Sequence, residues 1–248
     1  MNRTAVTPAI APAPAPAAMP YVLMYHSVED AAEDPHLLAV PPAMFARQMR
    51  WLAQRGLRGV GMAELLRARD AGTARGLVGL TFDDGYADFA TAALPILQDF
   101  GFTATVFMVA GRIGGDNAWD DGPRKPLMTA GQLRGVADAG MEVASHGLAH
   151  LSLPETGTEE LARELHESRS LLERILDRPV TGFAYPYGHI GDREVAAVAA
   201  AGYDYGCAIW GSHPSRHALA RTYIGDRDGG LRLRAKLLRH RLRWRVRV

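Results

Sequence analysis

What most limits how this chain folds is a regular alternation, from residue 21 to residue 224, of short apolar runs and stretches with helical spacing. Runs at 21–25, 77–82, 103–109, 141–145, 180–185, 203–209 and 221–224 read as strands, rich in β-branched, aromatic and other apolar residues. Between them, Phe45, Met49 and Leu52 fall at helical spacing after Pro41-Pro42, with Gly56 as a stop. Ala93, Leu94 and Leu97 mark a helix that ends near Gly101. Thr129 and Gln132 match a capping box for a helix through Leu133, Val136 and Ala137. Leu161, Leu165, Leu172 and Ile175 mark one face of a longer helix closed by Asp177-Arg178-Pro179, and Val195 and Val198 face inward on a helix at about 192–201. Strands that alternate with helices imply an α/β fold with parallel strands joined by crossovers, and about seven strands is close to a barrel count.

A chain of 248 residues fits one such domain, and no break in composition divides it. With 48% hydrophobic and 22% charged residues it reads as a globular protein with a real core, not a disordered one. The expected organisation is a flexible Pro/Ala leader over 1–19, one domain over 20–230 and a basic amphipathic tail over 231–248. The leader lacks the continuous apolar core of a secretory signal, and no stretch approaches the roughly 18 apolar residues of a membrane span. A cytoplasmic protein, peripheral at the inner membrane surface if the tail binds there, is the expectation. Cys207 is the sole cysteine, which excludes an intrachain disulfide and an all-cysteine zinc site.

The polar residues that carry chemistry stand just after the expected strands, where parallel α/β folds build their sites. Thr81-Phe82-Asp83-Asp84-Gly85 ends an apolar run with two adjacent carboxylates, and Gly85 permits a turn that would let them serve two roles. Alone, D-D-G reads equally as a turn or a helix cap. His146 and His150, four residues apart, can reach one ion; with Asp84 they supply two nitrogens and one oxygen and leave positions open, as a catalytic zinc site requires. Gly147 stands where an H-E-x-x-H enzyme needs its glutamate, so the base must come from elsewhere, and Asp83 is the candidate. Pro186 and Gly188 constrain the backbone so that the Tyr187 N–H can serve as an oxyanion donor, although Tyr185 and Tyr187 also read as packing aromatics.

Taken together, T-F-D-D-G (81–85), S-H-G-L-A-H (145–150) and F-A-Y-P-Y-G (183–188) resemble, in order and spacing, three motifs of the NodB-homology polysaccharide deacetylases, carbohydrate esterase family 4. M-Y-H-S-V (24–28), N-A-W-D (117–120) and H-A-L-A-R (217–221) resemble the branch that acts on β-linked N-acetylglucosamine polymers. The resemblance implies a distorted (β/α) barrel in which Asp83 is the base, Asp84, His146 and His150 hold zinc or a similar divalent ion, and the Tyr187 N–H helps to hold the oxyanion. It puts Arg221 near the site as an orienting or substrate-binding group. Trp119, Tyr185 and Tyr187 offer flat apolar faces on which a sugar ring can lie, although each also reads as packing, and His26, just after the first strand, joins Trp119 and Tyr185 as a candidate substrate contact. Ala184 stands where many members carry an arginine that orients the base, and the late motif that bears the acid is not evident. His213, His217 and His240 are the candidate acids, and no motif singles out one of them. The expected reaction is hydrolysis of an N-acetyl group on an N-acetylhexosamine-containing glycan or lipid-linked sugar, with an O-acetyl esterase or a silent carbohydrate-binding protein as the other readings.

From Leu231 onward there are eight Arg/Lys residues and no carboxylate, which leaves 20 basic against 27 acidic residues before it, a net charge of −7. Leu231, Leu238, Leu242 and Val246 approximate one face of a helix, while the alternation of apolar and basic residues also suits a strand. Such a segment fits either an anionic membrane surface or the protein's own acidic body; no nucleic-acid partner is expected, since no base-reading module is visible.

Overall fold

The computed structural model describes residues 19–209 and 215–243, and these form a parallel barrel. Among the described residues the strands are β1 (Val22–Tyr25), β2 (Arg58–Val60), β3 (Leu77–Phe82), β4 (Thr105–Met108), β5 (Glu142–Ser145), β6 (Gly182–Ala184), β7 (Tyr205–Ala208), β8 (Leu219–Ala220) and β9 (Thr222–Tyr223). The sheet order is β8-β7-β6-β5-β4-β3-β1-β9, and every pairing is parallel. β2 pairs with the first half of β3 and β4 with its second half, so these two share one position. β8 pairs with β7 and β9 with β1, with only Arg221 between them, so one bent segment closes the ring. Nine strands thus occupy seven positions, because two positions hold two strands each.

The helices are α1 (Pro42–Ala53), α2 (Met62–Asp70), α3 (Leu94–Asp99, entered through a π-turn at Phe89–Ala93), α4 (Ala130–Asp138), α5 (Thr158–Leu176), α6 (Asp192–Ala200) and α7 (Gly230–Arg243). Thr129 and Gln132 form the capping box of α4 through reciprocal bonds. The sequence reading omits β2, α2 and β8, each short and lying close to a neighbouring element. On α5 the buried apolar end is Leu176 rather than Ile175, and Glu164 and Ser168 share the inward stripe; on α6 Glu194 and Val198 are buried while Val195 is half-buried.

Strand alternation separates two cores. Leu23, Tyr25, Leu80, Phe82, Val106, Met108, Val143, Phe183 and Tyr185 point outward into the layer under the helices. Val22, Val60, Phe107, Ala144, Ala184, Tyr205, Cys207 and Ala220 point inward, together with Met62, Leu65 and Leu66 of α2. α2 therefore plugs the end of the barrel opposite the site. Its first amides are satisfied from the barrel wall: Met62 N–H donates to Thr105 Oγ1 (2.7 Å), and Ala63 N–H donates to Glu142 (2.9 Å), which also accepts from Thr105 and Tyr205 hydroxyls. Met19, assigned to the leader, is buried at this end, and the 230/231 boundary falls at the start of a helix packed on the barrel through Leu233 and His240. No helix among the described residues is long and apolar enough to cross a membrane.

Candidate metal centre and catalytic site

At the C-terminal ends of β1, β3, β5 and β6 the inward positions turn polar. The alternation that sends Thr81 and Ala144 into the barrel also sends Asp83 and His146 there, one step beyond the last paired residues. Asp84 would then face outward, but its backbone enters the left-handed region (φ 70°) and returns the side chain to the opening. Of the five described non-glycine residues with positive φ, three are Asp84, His150 (φ 61°) and Tyr187 (φ 59°), so backbone strain is concentrated here. Gly85 is needed for a second reason: a Cβ there would lie 2.2 Å from Met108 Sδ.

Asp84 Oδ1 lies 3.5 Å from His146 Nε2 and 3.3 Å from His150 Nε2, and one donor atom from each residue falls within 4.8 Å of the others. All three side chains are buried. His146 Nδ1 sits 2.8 Å from the Ala184 carbonyl, which requires its proton on Nδ1 and turns the Nε2 lone pair toward Asp84. Burial pulls the His146 pKa down to about 4, against the pull of Asp83 and Asp84, so the imidazole is neutral at pH 7. A lone pair and a carboxylate facing each other in a dry site call for a cation between them. One oxygen and two imidazole nitrogens are the donor set of a divalent metal, and the residues present fit one.

Asp83 is held differently. Arg221 Nη1 donates to its Oδ1 (2.5 Å) and Nη2 to its Oδ2 (2.7 Å), a bidentate pair buried on both sides. Burial pushes the carboxyl up, but the Arg221 charge, with His146 and His26, outweighs it and holds Asp83 below the usual carboxylate range. Arg221 reaches this place because it stands at the bend between β8 and β9, with its guanidinium over the Phe107 ring (5.4 Å). It therefore supplies the counter-charge that Ala184 cannot.

His26 Nε2 lies 4.0 Å from Asp83 Oδ2, on a loop that Asp88 fixes by accepting from the Ser27 hydroxyl (2.7 Å) and the Val28 N–H (2.9 Å). Around His150 the walls are aromatic. Trp119 stacks on it (centroids 4.6 Å, 24°), Tyr187 meets it edge-on (4.6 Å, 72°), and the Tyr187 hydroxyl donates to Asp120 (3.0 Å). The His150 loop is clamped from behind by the buried Glu164, whose carboxylate accepts from Leu148 N–H (2.8 Å) and Ala149 N–H (3.1 Å). Sequence reasoning overlooked Glu164 and Asp88; the signal for Glu164 is a carboxylate on the apolar stripe of α5.

Two expected site residues stand elsewhere. Tyr185 is fully buried and faces outward, its hydroxyl donating to the His217 carbonyl (2.7 Å); alternation that turns Ala184 inward turns Tyr185 away from the cleft, so no sugar can stack on it. His217 Nε2 is engaged by the Tyr203 carbonyl (2.8 Å), and the ring makes no contact with Asp83, Asp84, His146 or His150, so it is not the acid. His240 is on the buried side of α7 with Nε2 3.2 Å from the Met19 carbonyl, and His213 falls outside the described residues.

Comparison with known proteins agrees with this geometry. The sequence model of the family described as Polysaccharide deacetylase matches residues 70–206. A Bacillus subtilis (strain 168) protein, provisionally named a polysaccharide deacetylase, is 30% identical over 212 residues, which is 83% of this chain and 71% of that one. The poly-beta-1,6-N-acetyl-D-glucosamine N-deacetylase of Escherichia coli (strain K12) is 34% identical over 134 residues, 49% of this chain but only 20% of that protein. Among solved structures, a Streptococcus pyogenes deacetylase in complex with acetate superposes with a TM-score of 0.77 at 23% identity, over 89% of this chain and 98% of that one.

Proposed function

The chain belongs to the polysaccharide deacetylase family, and from that premise we propose that it hydrolyses the N-acetyl group of β-linked N-acetylglucosamine or a closely related N-acetylhexosamine glycan, with zinc as its metal. The enzyme is a metal-dependent carbohydrate deacetylase. The observation that carries the reading is the convergence of two buried imidazole nitrogens on one Asp84 oxygen, beside a second carboxylate fixed by a buried arginine.

Asp84, His146 and His150 would hold a divalent cation, which would supply Lewis-acid polarisation of the acetyl carbonyl and make a neighbouring water more acidic. Asp83 stays ionised because Arg221 compensates its charge, and each carboxylate oxygen keeps a lone pair free to take a proton from water as the water oxygen attacks the acetyl carbon. The Tyr187 N–H donates to the oxyanion that develops. His26, beside Asp83 and outside the three metal-binding side chains, is the acid: it protonates the departing nitrogen as the C–N bond breaks, giving acetate and a free amine. Trp119 and Tyr187 offer flat faces to a sugar ring.

Acetate release from N-acetylglucosamine oligomers, from O-acetylated sugars and from lipid-linked N-acetyl sugars, with and without chelator, tests the proposal. Release from the N-acetylated oligomers that chelation stops and added zinc restores is the expected result; release from O-acetylated sugars alone would point to an esterase.

A further inference from the structure

The last helix has two faces with different partners. One side of α7 is packed on the barrel: Leu233 and His240 are buried, Leu237 is half-buried, and Lys236 pairs with Asp228 (2.5 Å). On the opposite side Leu231, Ala235, Leu238 and Leu242 recur at i, i+4, i+7 and i+11 and so form one stripe over about three turns. The leucines are 85%, 48% and 64% exposed, and they are three of the five large apolar side chains that the described residues expose. By the same helical geometry, Arg234 and Arg241 line one edge of the stripe and Arg232 and Arg239 the other. These four make no hydrogen bond or ion pair among the described residues, and Gly230–Arg243 contains no carboxylate.

We propose that α7 docks flat on an anionic phospholipid bilayer, with the leucine stripe entering the boundary between headgroups and acyl chains and the flanking arginines engaging lipid phosphates. A narrow apolar stripe edged on both sides by cations is what a helix lying in the plane of a charged interface needs. Guanidinium groups at its edges match phosphate geometry, and an anionic surface offsets their charge. The other occupants fit less well. A second copy seated on the stripe would bring four arginines against four arginines, and a nucleic acid would leave the leucines in water. The barrel remains free of the interface, because its own contacts with α7 use the other face.

The test uses the full chain and sedimentation with vesicles of phosphatidylcholine alone or with about 30% phosphatidylglycerol. Partition should rise at least about tenfold with the anionic lipid and fall as salt is added. Leu231→Ser/Leu238→Ser/Leu242→Ser should lower it at least about tenfold with little change in the thermal midpoint, since these three side chains are exposed rather than part of the core. Arg232→Gln/Arg234→Gln/Arg239→Gln/Arg241→Gln should lower it on the order of a hundredfold. Equal binding to neutral and anionic vesicles, or full binding by the leucine variant, would overturn the proposal. So would an absence of partition accompanied by self-association that the leucine substitutions abolish.

Discussion

Asp83 and Arg221 are each tolerable in the barrel opening because the other is there. Arg221→Met would leave a buried carboxylate without its counter-charge, at a cost of about 3–5 kcal/mol in stability. Burial, opposed then only by His146 and His26, would push the Asp83 carboxyl up, so the acid limb of the pH–kcat/KM profile should move to higher pH; equal loss of rate at pH 6 and pH 8 would contradict this. His146 makes a second pH prediction. Its pKa falls from about 6.5 in the unfolded chain to about 4 in the fold, so below pH 6.5 the unfolded chain binds the proton first. The stability it contributes is whole above pH 6.5 and is lost as pH falls toward 4. In metal-free protein, the difference in unfolding free energy between wild type and His146→Gln should shrink by about 2–3 kcal/mol from pH 7 to pH 4.5. At this scale the sequence made Asp83, Asp84, His146 and His150 legible because they are near neighbours in pairs. A flat ring at Tyr185 suggests a sugar contact only while strand parity is left out, and the position of His217 depends on pairing partners that the local sequence does not show. Ala184 and Tyr185 are consecutive on extended backbone, and only one of them can face the cleft.

The loop at 147–150 owes its shape to α5, which presents Glu164 as an acceptor for two of its amides. In Glu164→Gln one acceptor oxygen becomes a donor facing N–H groups. Metal affinity, measured by competition with a chromophoric chelator, should drop about 10–100-fold. Stability should fall by about 1–3 kcal/mol, while Glu167→Gln on the exposed side of the same helix changes neither. Elements with a clean period are readable: the sequence run at 77–82 is β3, and Asp177 marks the end of α5. β2 and α2 are not: β2 has three residues, one of them Gly59, whose missing side chain lets Leu80 pack where a Cβ would sit at 2.3 Å. α2 is no longer than α4 or α6 and more polar than either, with its apolar Met62, Leu65 and Leu66 turned into the barrel end instead of onto a sheet face. The described part of the tail, residues 231–243, is helical, and its exposed leucines and its buried Leu233 and His240 serve opposite faces, a division that a single apolar period cannot reveal.

Across the whole molecule, ring closure and catalysis depend on the same few residues. The segment 219–223 pairs with β7 and then with β1, and the bend between these pairings is where Arg221 enters the barrel to meet Asp83. The alternation of strands and helices made the parallel architecture legible, and seven barrel positions match the seven apolar runs; closure by one shared strand is a property of pairing partners far apart in the chain and leaves no local trace. The central claim is that Asp84, His146 and His150 hold the cation while Asp83 works beside it without binding it. Metal content and acetate release, measured together on Asp83→Asn and Asp84→Ala, test this most directly. The account predicts that Asp83→Asn keeps one divalent ion per chain and loses acetate release by at least about a hundredfold, while Asp84→Ala loses both. Full metal content in Asp84→Ala, or undiminished acetate release by Asp83→Asn, would contradict it.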